Sequence, residues 1–109
     1  MYEYTATINR VVDGDTLDLD IDLGFHLTAR VRVRLKDIDA PELRGPERTE
    51  GLAAKHFLLN LLTFEERVAV RTYKAGKYGR YIARIEVPGK GDLCELLVKE
   101  GHAVWKDYG

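Results

Sequence analysis

The stretch TLDLDIDLGFHLTARVRVRL, residues 16–35, decides the fold. Leu17, Leu19, Ile21 and Leu23 alternate with Asp18, Asp20 and Asp22, and Val31, Val33 and Leu35 alternate with Arg30, Arg32 and Arg34. A period of two with one apolar face means two half-buried strands. The short link Gly24-Phe25-His26 suits a hairpin between them. If Leu17 lies opposite Val33, Asp18 faces Arg32 and Asp20 faces Arg30. The acid row and the base row then pair on the wet face, where each pair contributes roughly 0.2–1 kcal/mol and helps fix the register. Asp18, Asp20, Arg30 and Arg32 are therefore read as structural charges.

Outward from this hairpin, YEYTATINRVV (2–12) reads as another strand, rich in β-branched and aromatic residues. Pro41, Gly45 and Pro46 mark residues 40–49 as a loop. From about Thr49, a candidate N-cap, to Leu62 the spacing becomes helical, with Leu52, Lys55, His56, Leu59 and Leu62 in one series and Ala53, Ala54 and Leu58 filling in. ERVAVRTY (66–73) and RYIARIEV (80–87) give two more strands, with GKYG between them. Asp92 and Glu95 form a capping box for a last helix with an apolar stripe of Leu93, Leu96 and Leu97, which Gly101 stops. Three strands, a helix, two strands and a helix make an α+β domain over residues 1–109. Five strands with an intervening helix fit a partly open Greek-key β-barrel of the OB type. A sandwich or a flat sheet shares the pattern.

Bulk composition narrows the function classes. Hydrophobic residues at 45% and charged residues at 32% describe an ordinary globular chain rather than a disordered one. The sole cysteine, Cys94, leaves no internal disulfide and is read as a core thiol. No apolar run approaches the ~20 residues of a membrane span, and the start MYEYTATINR lacks a secretory pattern. A cytoplasmic location is the default, with a phage or bacterial origin and secretion left open. The formal net charge of -1 argues against a protein that grips nucleic acid by bulk electrostatics.

With the paired charges set aside, two acid clusters remain. Asp13-Gly14-Asp15-Thr16 stands where one strand begins, and Asp37, Asp39 and Glu42 surround Pro41 where the next one ends. The hairpin brings both clusters to one end of the sheet. Carboxylates so gathered call for a neutralising cation, and Ca²⁺ and Mg²⁺ prefer oxygen ligands, with Ca²⁺ tolerating irregular geometry. Arg34 ends its strand at the same edge, and Arg80 follows Lys77-Tyr78-Gly79. Two guanidiniums suit a phosphate, because each can donate two parallel hydrogen bonds. Glu42, without an evident partner, could hold or deprotonate a water.

DGDT (13–16), RLKDIDAPE (34–42) and KYGR (77–80), in that order and spacing, resemble the micrococcal or staphylococcal nuclease family, the thermonucleases. LLVKEGHA (96–103) resembles the family's next helix and its glycine. The resemblance implies an OB-fold barrel and Ca²⁺-dependent hydrolysis of DNA and RNA on the 5′-oxygen side, leaving 3′-phosphates. It implies that Asp15, Asp39 and the main-chain carbonyl of Ala40 are metal ligands. Arg34 and Arg80 would clamp the scissile phosphate, and Glu42 would activate or orient the water. Asp13 would support its loop, Lys77 and Tyr78 would reach the neighbouring phosphate and sugar, and Tyr108 would stack on a base.

Several positions depart from the family pattern. Ala40 replaces a threonine, and the loop after Glu42 is shorter than in the secreted enzymes. Asp107 aligns with the base-stacking tyrosine, Tyr108 being one position off, and the sequence stops at Gly109, ahead of the family's last long helix. The relatives are basic and this chain is not. The expectation is competent catalysis with weak substrate binding by a monomer or weak dimer, on a DNA or RNA substrate and away from membranes. The alternative is a catalytically weak or inactive OB-fold module that binds nucleic acid. A retired domain is free to lose Asp15, Glu42 or Arg80, and all three are present.

Overall fold

A computed structural model describes residues 2–73 and 81–107. The alternating hairpin forms as expected from β2 (Thr16–Gly24) and β3 (Leu27–Leu35). Leu17 pairs with Val33, Asp18 with Arg32 and Asp20 with Arg30. Arg32 Nε donates to Asp18 Oδ1 at 2.8 Å, and Arg30 Nε to Asp20 Oδ1 at 2.9 Å. Phe25 and His26 carry the turn with φ of 53° and 61°. Positive φ at both turn residues matches the right-handed twist of the flanking strands.

The other strands wrap this hairpin into a barrel. β1 (Tyr2–Asp13) pairs with β2 on one side and with β5 (Arg67–Tyr73) on the other, and β6 (Tyr81–Val87) follows β5. The order β3-β2-β1-β5-β6 closes on itself because β3 also pairs with β6, in parallel, through Val33–Tyr81, Arg34–Ile82 and Leu35–Ala83. That closure rules out the sandwich and the flat sheet. The result is a five-stranded barrel with two helices, the OB-type α+β fold. Two-residue strands β4 (Ile38–Asp39), β7 (Gly91–Asp92) and β8 (Val104–Trp105) attach at its ends. Leu17, Leu19, Val33, Leu35, Val70 and Ile85 fill the interior and are fully buried. Leu23 leaves the expected apolar face. It lies beyond Asp22, the last β2 residue that β1 covers, and is 49% exposed.

Helix α1 spans Arg48–Leu61 and follows a 3₁₀ turn, Gly45–Glu47. Thr49 is therefore inside the first turn and is not the N-cap. Pro46 in the 3₁₀ turn starts the helical geometry earlier, and Glu47 occupies the cap position without a side-chain bond. The buried face is also rotated from the leucine series. Gly51, Ala54 and Leu58 are buried, whereas His56 and Leu59 are exposed. Gly51 and Ala54 are small where the helix crosses the Pro41–Glu42 backbone and Gly14, and Leu58, one turn on, enters the hydrophobic core.

Helix α2 (Leu93–Lys99) agrees with its sequence signals. Asp92 Oδ1 accepts from Glu95 N at 3.2 Å. The amides of Gly101 and His102 return to the carbonyls of Val98 and Leu97, with Gly101 at φ 78°, which closes the helix in a Schellman turn. Leu93, Cys94 and Leu97 are buried, so Cys94 is a core thiol. Among the described residues no helix is long and apolar enough to cross a membrane.

Candidate active site

The hairpin end opposite the turn assembles the site. Thr16 pairs with Arg34, and the amide of Leu35 donates to the carbonyl of Asp15 at 2.8 Å. Asp15 is thereby fixed beside the last residues of β3. Asp37 then turns the chain with φ 59°, a left-handed conformation that aspartate tolerates, and Lys36 Nζ covers its carboxylate at 2.8 Å. After that turn β4 pairs with β8, setting Asp39 opposite Val104 and Ile38 opposite Trp105.

Asp15 is the centre of the arrangement and only 7% exposed. Its Oδ2 accepts from the Ala40 amide at 3.1 Å and from Arg34 Nη2 at 3.2 Å. Its Oδ1 accepts from Thr16 Oγ1 at 3.1 Å, and its own amide donates to Asp13 Oδ1 at 3.0 Å. The same Arg34 nitrogen reaches Asp39 Oδ1 at 3.5 Å. Burial first, then hydrogen bonding with and repulsion from the Asp13 carboxylate, push the Asp15 carboxyl up to about 6 from 3.8. The Ala40 amide and Arg34 pull in the opposite direction without cancelling this. An acid so placed gains from positive charge nearby.

This donor set fits a hard divalent cation. Asp15 and Asp39 offer carboxylate oxygens on either side of one position that a cationic nitrogen touches, and the backbone of Ala40 is brought to the same place. Among the described residues no three acid, His or Cys side chains gather as a ready ligand cage. Asp15, Asp39 and the backbone of Ala40 are the oxygen-bearing groups here that could hold a cation such as Ca²⁺, which accepts carboxylate, carbonyl and water ligands. Asp37 does not join, because Lys36 holds it.

Asp15, Arg34, Asp39 and Ala40 thus meet through direct hydrogen bonds. Glu42 follows on the same loop with an exposed side chain. Arg80, Lys77, Tyr78 and Tyr108 lie outside the described residues.

Sequence reasoning missed what braces these loops. A Cβ on Gly14 would sit 2.8 Å from the Cβ of Ala40 and of Ala54, so this glycine packs the Asp15 loop between the Ala40 loop and α1. Gly51 on α1 plays a similar part beneath Glu42. Its signal was present in the sequence, a glycine inside a helical pattern, where it costs about 1 kcal/mol relative to alanine. The pairing of β4 with β8 had no such signal, since two-residue strands carry no periodicity.

A profile of the family described as staphylococcal nuclease homologue matches residues 32–109. Among characterised proteins, the chain is 31% identical to the micrococcal nuclease of Shigella flexneri over 98% of its own length and 62% of the relative. It is 32% identical to the thermonuclease of Staphylococcus hyicus over 97% of its length and 62% of that protein. It is 27% identical to Endonuclease YhcR of Bacillus subtilis (strain 168) over 93% of its length but 9% of that protein. The chain therefore spans less than two thirds of each of these relatives.

Proposed function

Because the chain belongs to the staphylococcal nuclease homologue family, we propose that it is a Ca²⁺-dependent nuclease that hydrolyses phosphodiester bonds of DNA and RNA. The observation that carries this reading is the single Arg34 nitrogen shared by Asp15 and Asp39. A guanidinium, a group suited to phosphate, lies there against two carboxylates that would serve as oxygen ligands, at one end of a closed barrel. The relatives' names, micrococcal nuclease and thermonuclease, agree with it.

Asp15 and Asp39, with the carbonyl of Ala40, would hold the cation. When bound, it supplies a Lewis acid for a non-bridging phosphate oxygen. Arg34 donates to the phosphate and stabilises the charge that builds as phosphorus gains a fifth ligand. Arg80 is the second guanidinium on the strength of the sequence alone, as are Lys77, Tyr78 and Tyr108 for the flanking phosphate, sugar and base. Glu42 orients a water and takes its proton. The water oxygen bonds to phosphorus, the bond to the 5′-oxygen breaks, that oxygen takes a proton from solvent water as it leaves, and Glu42 returns its proton to solvent. The products are a 3′-phosphate and a 5′-hydroxyl.

The test is cleavage of single-stranded DNA in Ca²⁺, in Mg²⁺ and in EDTA, with the new ends assayed for extension by a polymerase. Cleavage in Ca²⁺ alone, leaving ends that extend only after phosphatase treatment, is expected. Cleavage in EDTA overturns the metal requirement. Binding without cleavage in any buffer makes the domain a binding module instead.

A further inference from the structure

Helix α1 carries a glycine where alanine would be the better helix former. Gly51 is not needed for an unusual backbone angle, since its φ lies outside the positive region. It is needed for space. A Cβ at this position would lie 2.6 Å from the carbonyl carbon of Glu42, closer still to that carbonyl's oxygen, and 3.0 Å from the carbonyl oxygen of Pro41. Backbone cannot yield to such a contact as a flexible side chain can. One turn earlier on the same face, Arg48 Nη1 donates to the carbonyl of Leu43 at 3.5 Å. One turn later, Ala54 meets Gly14, the neighbour of Asp15.

The face Arg48–Gly51–Ala54 therefore touches both loops of the site. Its middle and first residues grip the backbone on either side of the Glu42 side chain, and its third abuts the Asp13–Asp15 turn. We propose that this face is a positioning element that sets the Glu42 carboxylate against Asp15 and Asp39, with Gly51 as the spacer and Arg48 as the tether. The proposal rests on the reading of Glu42 as the residue that handles the attacking water. An exposed carboxylate on a loop has many rotamers and backbone poses. A clamp on its own carbonyl and the next removes the backbone part of that freedom, where misplacement by about 1 Å can cost ~10²-fold in rate.

The test is steady-state cleavage of single-stranded DNA at saturating Ca²⁺ by Glu42→Gln, Gly51→Ala, Arg48→Ala, Arg48→Lys and the double variants with Glu42→Gln. Melting curves and Ca²⁺ affinity are measured alongside. Gly51→Ala is expected to lower kcat at least about tenfold with KM and Ca²⁺ affinity within about twofold. Arg48→Ala is expected to lower kcat several-fold with an unchanged melting curve, and Arg48→Lys to recover part of it. Neither change should slow the enzyme further once Glu42 is glutamine. A Glu42→Gln enzyme of full activity overturns the parent reading of Glu42. A slow Glu42→Gln enzyme with Gly51→Ala and Arg48→Ala at wild-type kcat, or with losses that multiply, overturns the positioning role alone. If Gly51→Ala fails to fold, the exposed Arg48 decides: unchanged kcat in Arg48→Ala overturns the proposal.

Discussion

Ala40 donates its amide hydrogen to Asp15 Oδ2 at 3.1 Å, across 25 residues of sequence. The bond joins the turn before β2 to the loop after β4. It also explains why the alanine in place of the family's threonine leaves the site assembled, since the contact is made by main chain. The two loops are closed further by packing, with no Cβ on Gly14 to hold Ala40 and Ala54 away. Asp15 is thus held in a buried place by contacts within the chain itself.

A buried carboxylate next to a second one costs stability when it is charged. Removing the charge while keeping the shape should relieve it. Asp15→Asn can still accept from the Ala40 amide, and Arg34 keeps Asp39 as a partner. The variant is expected to lose Ca²⁺-dependent cleavage yet melt higher than wild type in EDTA at pH 8, by on the order of 4 °C, the shift that about 1 kcal/mol gives in a domain of this size. A lower melting temperature would mean that the carboxylate stabilises the metal-free fold.

Arg34→Lys tests whether charge or geometry matters. Lysine keeps one positive charge near Asp15 and Asp39 but loses the planar fork that matches a phosphate. Turnover is expected to fall on the order of 10³-fold, the scale seen for loss of an arginine from a phosphoryl transition state. The melting curve should stay within a few degrees of wild type. Near wild-type turnover in a folded variant would remove Arg34 from the phosphate site.

The barrel was legible in the sequence because its decisive strands alternate strictly, and each charged pair in the hairpin confirms the register that the leucines and valines set. The convergence of Asp15 with Arg34 and Asp39 followed from the same register. Helix α1 was legible in extent but not in face. The series through Leu52 and Leu59 points to one face, whereas the helix buries Gly51, Ala54 and Leu58, with Gly51 lying on the Glu42 backbone. The partnership of Asp39 with Val104 was not legible, since it joins segments 65 residues apart through a two-residue ladder. Periodicity reports side chains that repeat, and tight backbone packing leaves only scattered glycines and alanines.

Cys94 should be chemically silent in the folded protein. Its Sγ donates to the carbonyl of Lys36 at 3.4 Å, and burial first, then the Asp92 carboxylate, push the thiol up to about 12 from 9.0. The thiolate is the reactive form, so at pH 8 a folded molecule offers almost none of it. Because this acid's folded value lies above its unfolded one, its contribution to stability is intact below about pH 9 and falls as pH rises from 9 towards 12. A disulfide-exchange reagent at pH 8 is expected to label the denatured chain rapidly and the native chain only at the rate of unfolding. Fast native labelling would show that α2 opens far more readily than its packing implies.

The salt dependence of cleavage should be shallow. The net charge is -1, and the cations on the barrel surface are largely committed to neighbouring acids. Arg30 pairs with Asp20, Arg32 with Asp18, Arg67 with Asp22, Arg71 with Glu3 and Arg84 with Asp92. Each could turn to a phosphate only by giving up a carboxylate, which would then repel the strand. The contacts expected of the site are Arg34, which a phosphate would share with Asp15 and Asp39, and the sequence candidates Arg80 and Lys77. About three contacts on a single strand give a slope near -2 for the logarithm of affinity against the logarithm of salt. The measurement is the specificity constant for single-stranded DNA from low to moderate NaCl at fixed Ca²⁺, with sedimentation to fix the oligomeric state at each salt. A slope near -2 with a high Michaelis constant supports a site that reads little beyond the scissile phosphate. A slope of about -4 to -7, as ~6–10 contacts would give, overturns that reading. If sedimentation then shows a dimer at low salt, the added contacts come from a second chain, and diluting the enzyme should flatten the slope.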